Sequence, residues 1–141
     1  MAISFLFSLL GAPLHNLYWS WGAVRPVDST VFLRVWRDET RDIEGSDFVQ
    51  VLRGDRNITG PGNQGYLERL EHIELIQEGN PCYLIMCVAV DPKANPREIK
   101  DFNETHVFPG GRLIHLEGNL WMERLPAVPI GKVTIKTIER L

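Results

Sequence analysis

The chain has 141 residues, 44% hydrophobic and 23% charged, the length of one domain with a core large enough to fold without disulfide or metal staples. No apolar run approaches the length that spans a bilayer, which excludes a membrane-spanning helix. The formal net charge of −3 argues against a general nucleic-acid binder, whose affinity rests on a large positive excess, and leaves room for a narrow basic stripe.

The opening stretch MAISFLFSLLGAP is apolar but has no basic segment before it, since the first positive side chain is Arg25. It reads as a short helix capping the fold, and the protein as cytoplasmic. YWSWGAV, residues 18–24, reads as extended. TVFLRVWRDE, residues 30–39, is rich in β-branched and aromatic residues and is the clearest strand of the first half; DFVQVL, residues 47–52, is a third. GDRNITGPGNQG, residues 54–65, carries five glycines and prolines that preclude regular structure, so it reads as a long loop. From Tyr66 the period becomes helical: Leu67, Leu70, Ile73 and Ile76 form an apolar stripe, glutamates at 68, 71, 74 and 78 interleave as a solvated face, and Gly79 ends the helix.

PCYLIMCVAVDP, residues 81–92, is an apolar run between prolines that suits a buried central strand. Cys82 and Cys87, five positions apart within it, face opposite sides and read as reduced core residues. Pro109-Gly110-Gly111 reads as a turn, RLIHLEGNLWMERL as a hairpin around Glu117-Gly118-Asn119, and KVTIKTIERL as a closing strand. The sum is one α+β domain over residues 1–141, with roughly five to seven strands in a curved or barrel-like sheet flanked by helices.

Catalytic constellations are lacking. His15, His72, His106 and His115 are scattered and fit no metal-ligand spacing, and there is no nucleophile elbow or phosphate-binding loop before a Lys-Ser or Lys-Thr helix. The reading therefore assigns no catalytic residue, no metal and no cofactor.

Two other patterns point to ligand binding. In an extended segment Trp19 and Trp21 share one face, a pocket wall or a core layer; Phe32, Arg34 and Trp36 share a face of the next strand, and Val31, Leu33 and Val35 the opposite, more core-like one. An arginine between aromatics suits a planar polar ligand. Eleven of the fifteen basic residues are arginine, and Arg37, Arg41, Arg53 and Arg56 flank the glycine-rich loop as candidate phosphate contacts. Their acidic neighbours make surface ion pairing the competing reading.

The strings WSWGAV, VFLRVW and YLIMCVA stand within a pattern running from about Ser8 to Leu125. That pattern resembles the EVE domains of the PUA-like group, which precede HNH nuclease domains in modification-dependent (type IV) restriction endonucleases of phage defence. The resemblance implies a small curved barrel whose aromatic pocket accepts a modified base flipped from double-stranded DNA, most naturally 5-methylcytosine or 5-hydroxymethylcytosine. Trp19 and Trp21 are then the stacking walls, Trp36 a third, and Asn16 and Ser20 the edge contacts. The histidines and cysteines of an HNH nuclease have no counterpart in this chain. The implied role is thus a non-catalytic recognition module, either an isolated reader or one with a nuclease attached in the full-length protein. Two alternatives stand beside it: an RNA-modification or small-molecule enzyme on a PUA-like scaffold, with Arg34, Asp38 or Glu39 in a cleft, and a plain interaction module.

Overall fold

The computed structural model describes residues 1–17, 19–54, 64–94 and 97–134. Tyr18, Arg56, most of the glycine-rich loop and residues 135–141 of the expected closing strand lie outside the described residues. The elements are α1 (Ile3–Leu9), β1 (Gly22–Val24), β2 (Val31–Trp36), β3 (Thr40–Ile43), β4 (Ser46–Leu52), α2 (Gln64–Gln77), β5 (Cys82–Ala89), β6 (Ile99–Phe102), β7 (His106–Leu116), β8 (Asn119–Arg124) and β9 (Val128–Pro129). The protein is α+β, with one large sheet and two α-helices among the described residues. No described helix is long and apolar enough to cross a membrane.

The nine described strands exceed the expected number. One of the additions is β3, a short polar strand without an apolar signal, which pairs with β4 across Glu44-Gly45; both turn residues take positive φ, 53° and 86°. Such turns match the twist of the flanking strands. The same geometry recurs at Glu117-Gly118, with φ 53° and 82°, where the expected hairpin joins β7 and β8. Pro109-Gly110-Gly111, expected as a turn, runs inside β7 instead: Pro109 pairs with Tyr83 and Gly110 with Arg124, and the register shifts before Leu113. A Cβ at Gly110 has no room against the Met122 sulfur, so glycine here serves close packing within a bulged strand.

The pairing order is β1-β2-β5-β7-β8-β4-β3, with β6 added to β5 and β9 to β7. Among the described strands only β2 and β5 run parallel, and the chain between them makes the required crossover through β3, β4 and α2. Both faces of this pair are buried. Val31, Leu33 and Val35 pack with Val49, Val51, Leu84, Met86, Leu120, Met122 and Ile73 of α2. Phe32 packs on the opposite face with Ile85, Cys87 and Val107 under Leu6, Phe7 and Leu10 of the α1 region. Phe32 is therefore core, and the expectation of one buried face on β2 is corrected. The two cysteines fall in the two different cores, buried and unbridged.

Although β2 and β4 share a core, β5, β7 and β8 separate them in the pairing order. The sheet thus curls on itself, yet its described strands leave it open. Helix α2 lies by that opening and begins at Gln64, earlier than expected. It ends before Gly79, whose φ is 105° and whose N–H donates to the Ile76 carbonyl at 3.0 Å. The stripe facing the core differs from the expected one: Tyr66, Arg69, His72 and Ile73 are buried, whereas Leu67 and Leu70 are 49% and 36% exposed.

Candidate functional site

The described residues 14–17 and 19–21 form no strand; β1 starts at Gly22. Asn16 closes the segment into a turn, with Ser20 N–H donating to the Asn16 carbonyl at 3.1 Å. Trp19 N–H donates to Asn16 Oδ1 at 3.2 Å, and Asn16 N–H donates to Ser20 Oγ at 2.9 Å. An asparagine bonding its own neighbouring backbone in this way competes with strand formation. The two indoles consequently meet different partners. Half-buried Trp19 takes the His15 ring edge-on, with centroids 5.6 Å apart. Half-buried Trp21 lies against Gly65 at the start of α2, where a Cβ has no room, and under the Arg69 guanidinium, 5.8 Å from the ring centroid.

Ser20, fully buried, ties this turn to β2 and α2. Its hydroxyl donates to Glu68 Oε2 at 3.1 Å, and its carbonyl accepts from Arg34 Nη1 at 2.8 Å. Arg69, 4% exposed, donates Nη1 to the Val51 carbonyl at 2.6 Å, and Nη2 to the carbonyls of Arg34 at 2.7 Å and Trp21 at 3.0 Å. Its guanidinium therefore joins β4 to β2 where the ladder leaves them unpaired. It also explains the buried stripe of α2: three carbonyls hold Arg69 inward, which turns Leu67 and Leu70 out.

Burial dominates the electrostatics here. It pulls Arg69 down to about 10, which leaves the guanidinium charged at neutral pH, and it lowers Arg34 in the same direction. It raises the Glu68 carboxyl, against the Ser20 hydroxyl, His15, the Trp21 amide and Arg69, which favour the anion. His72 is pushed down to about 4 by burial and then by Arg69. Among the described residues, four buried side-chain atoms here have no hydrogen-bond partner: Arg34 Nε, Glu68 Oε1, Arg69 Nε and His72 Nδ1. Each such atom costs about 1–3 kcal/mol where it stays unpaired.

The remaining predicted residues lie elsewhere on the sheet. Trp36, on the same face of β2 as Phe32, packs against the α1-side core, with the Arg97 guanidinium 5.3 Å from its ring centroid. Asp38 and Glu39 pair with Arg97 at 2.8 and 3.5 Å, and the Glu39 charge also acts on Arg69. No group of three or more described His, Cys, Asp or Glu residues is placed to hold a metal. Of the candidate phosphate contacts, Arg37 and Arg53 are exposed at the ends of β2 and β4. Arg41 is exposed on β3 and grips both carboxylate oxygens of Glu117 at 3.1 and 3.2 Å.

Sequence reading passed over Glu68 and Arg69. The signal for Arg69 was the stripe Tyr66, Arg69, Ile73 and Ile76, whose helical spacing is as good as that of the leucine stripe preferred over it. No family model, curated protein or solved structure matches this chain.

Proposed function

We propose that this protein is an EVE-like, PUA-like reader of modified cytosine in double-stranded DNA, stacking the flipped base on the indoles of the Trp19–Trp21 turn. One observation carries the reading. Two half-buried indoles stand on a single short turn whose central serine bonds both Glu68 and Arg34, and these two residues each keep a buried polar atom without a partner. Flat apolar walls beside a few convergent polar groups are what a planar heterocycle requires. Stacking on aromatic rings contributes about 1–3 kcal/mol per base and offsets the unstacking cost of a few kcal/mol. The curled α+β sheet is in keeping with the PUA-like architecture. In this reading the chain recognises and does not cut; cleavage belongs to a nuclease attached in the full-length protein, acting on phage DNA in the cytoplasm.

The test is a binding series at fixed salt on duplexes that differ only in one central base: cytosine, 5-methylcytosine, 5-hydroxymethylcytosine or N6-methyladenine. Preferential retention on a modified-cytosine duplex is expected. A 2-aminopurine neighbour should brighten on binding and dim again in high salt, with the DNA recovered unaltered. Equal affinity for all four duplexes refutes the reading, and so does turnover of the base.

A further inference from the structure

The outer side of α2 carries features that destabilise a helix in water. Its buried stripe leaves Leu67, Leu70, Glu71 and Glu74 exposed, and the Glu78 N–H donates to the Glu74 carbonyl at 3.0 Å, which carries the helical spacing on to exposed Glu78. Residues three and four apart stack on one side of a helix, so these five side chains form a single ridge, apolar toward the start of α2 and acidic toward its end. Glu74 stands at neighbour spacing from both Glu71 and Glu78, and like charges so placed repel. The glutamates also occupy the half of the helix where the backbone dipole disfavours anions, while the first turn holds no acid and the last no base. Arg69 is the only arginine or lysine of α2, and it is buried on three carbonyls. Elsewhere Asp38, Asp47, Glu117 and Glu123 each pair with an arginine, whereas Glu71, Glu74 and Glu78 have no ion-pair partner among the described residues. A face kept for solubility gains from interleaved lysines and needs no leucine.

We propose that this ridge is a docking surface for a basic amphipathic helix of a partner protein, whose apolar side chains cover Leu67 and Leu70 and whose lysines or arginines face Glu71, Glu74 and Glu78. Charge complementarity selects this occupant. Nucleic acid is repelled by the same three carboxylates. A second copy of the chain fits no better: packed parallel, the glutamates of the two ridges meet, and packed antiparallel they are set against leucines, unpaired in either case. A helix suits the ridge because its side chains repeat with the same spacing of three and four. The 14 residues of α2 make a helix about 21 Å long, and one helix side falls well short of the roughly 800 Å² per partner that a stable interface buries. The contact is therefore weak and salt-sensitive, and it does not depend on the base-reader function.

The probe is a fluorescein-labelled, alanine-based peptide of about 18 residues, long enough to form a helix, with three lysines and two leucines in the spacing of the ridge taken in reverse. One control peptide scrambles these residues off a single side, and a second replaces the lysines with glutamates. At low salt the protein should bind the probe at about 10–100 μM and each control at least about tenfold more weakly, with amide NMR shifts centred on residues 67–78. The double variant Leu67→Ser, Leu70→Ser should weaken binding about tenfold, through lost apolar contact. The triple variant Glu71→Gln, Glu74→Gln, Glu78→Gln should weaken it about fivefold to tenfold, through three exposed ion pairs. The triple variant should also unfold at a urea midpoint no lower than the wild type's, because it relieves like-charge repulsion within α2. No binding at about 1 mM probe, equal binding of the scrambled peptide, or amide shifts lying off α2 overturns the proposal. A triple variant less stable than the wild type overturns it as well, since the glutamates then serve the fold. Sedimentation showing a dimer that the double variant dissolves gives the ridge to a second copy and overturns it too.

Discussion

Arg69→Met tests whether one guanidinium holds together strands that the ladder leaves apart. Methionine retains most of the side chain's apolar stem and removes all three donated bonds, to Val51 of β4, Arg34 of β2 and Trp21. A hydrogen bond from a charged donor contributes about 1.5–3 kcal/mol net, and a buried carbonyl left bare costs a similar amount. Opposing this, the substitution relieves a desolvation penalty of several kcal/mol, because a buried ion no longer has to be accommodated. The Trp21 carbonyl also keeps a second donor, the Arg34 N–H at 2.7 Å, so the bare acceptors are those of Val51 and Arg34. The net loss should be about 3–5 kcal/mol, a large share of the 5–15 kcal/mol typical of a domain. Urea unfolding should show it as a lower midpoint at nearly constant slope, and native-state amide exchange should quicken first in β2 and β4. Arg69→Lys, which keeps the charge but not the planar fork, should recover less than half of the loss. A loss below about 1 kcal/mol for Arg69→Met, or exchange that quickens evenly over the sheet, refutes the reasoning.

Trp19→Ala and Trp121→Ala should separate binding from stability. Trp19 is half-buried and meets His15 edge-on, so its loss should weaken binding to modified DNA by about 1–3 kcal/mol with little change in unfolding. Trp121 is 7% exposed and donates Nε1 to the Leu116 carbonyl at 3.4 Å; its loss should cost about 3–5 kcal/mol of stability. The reverse pattern in paired binding and denaturation curves removes Trp19 from the pocket. His72 should make the fold acid-sensitive. With the imidazole held down to about 4 in the folded protein, against 6.5 as the ordinary value, the unfolded chain alone takes up a proton between those limits. Stability should therefore fall as pH drops through that window, by about 3 kcal/mol at most, and His72→Leu should flatten this part of the profile. Glu68, raised by burial, works in the opposite sense, so the quantity to measure is the difference between the wild-type and His72→Leu profiles. Parallel profiles refute the assignment of a neutral buried His72.

The candidate site was partly legible. The density of aromatics at 18–21 singled out Trp19 and Trp21, and their small polar neighbours Asn16 and Ser20 belong to the same turn. What misled was the assumption of an extended backbone, because Asn16 Oδ1 and the Asn16 carbonyl draw Trp19 and Ser20 into a local turn whose bonds strand periodicity does not reveal. Glu68 sat in a run of evenly spaced glutamates that resembles a solvated helix face. Its burial depends on Ser20, 48 positions earlier in the chain.

Features set by short-range chemistry were determined by the sequence alone. The apolar run of β5 demands burial on both faces and separates Cys82 from Cys87, Gly79 takes the left-handed conformation that ends α2, and Glu117-Gly118 makes the hairpin. Tertiary structure decided what several local solutions satisfied equally. Helix α2 has two stripes of comparable spacing, one through Leu67 and Leu70 and one through Tyr66 and Arg69. The second faces inward because the carbonyls of Val51, Arg34 and Trp21, brought together only when the sheet curls, bond a buried guanidinium. Pro109-Gly110-Gly111 is likewise a turn signal in isolation and a strand in the fold, because Tyr83, Arg124 and the Met122 sulfur occupy the positions beside it. Local propensities differ by about 1 kcal/mol per residue, and long-range hydrogen bonds and close packing of this size or greater override them.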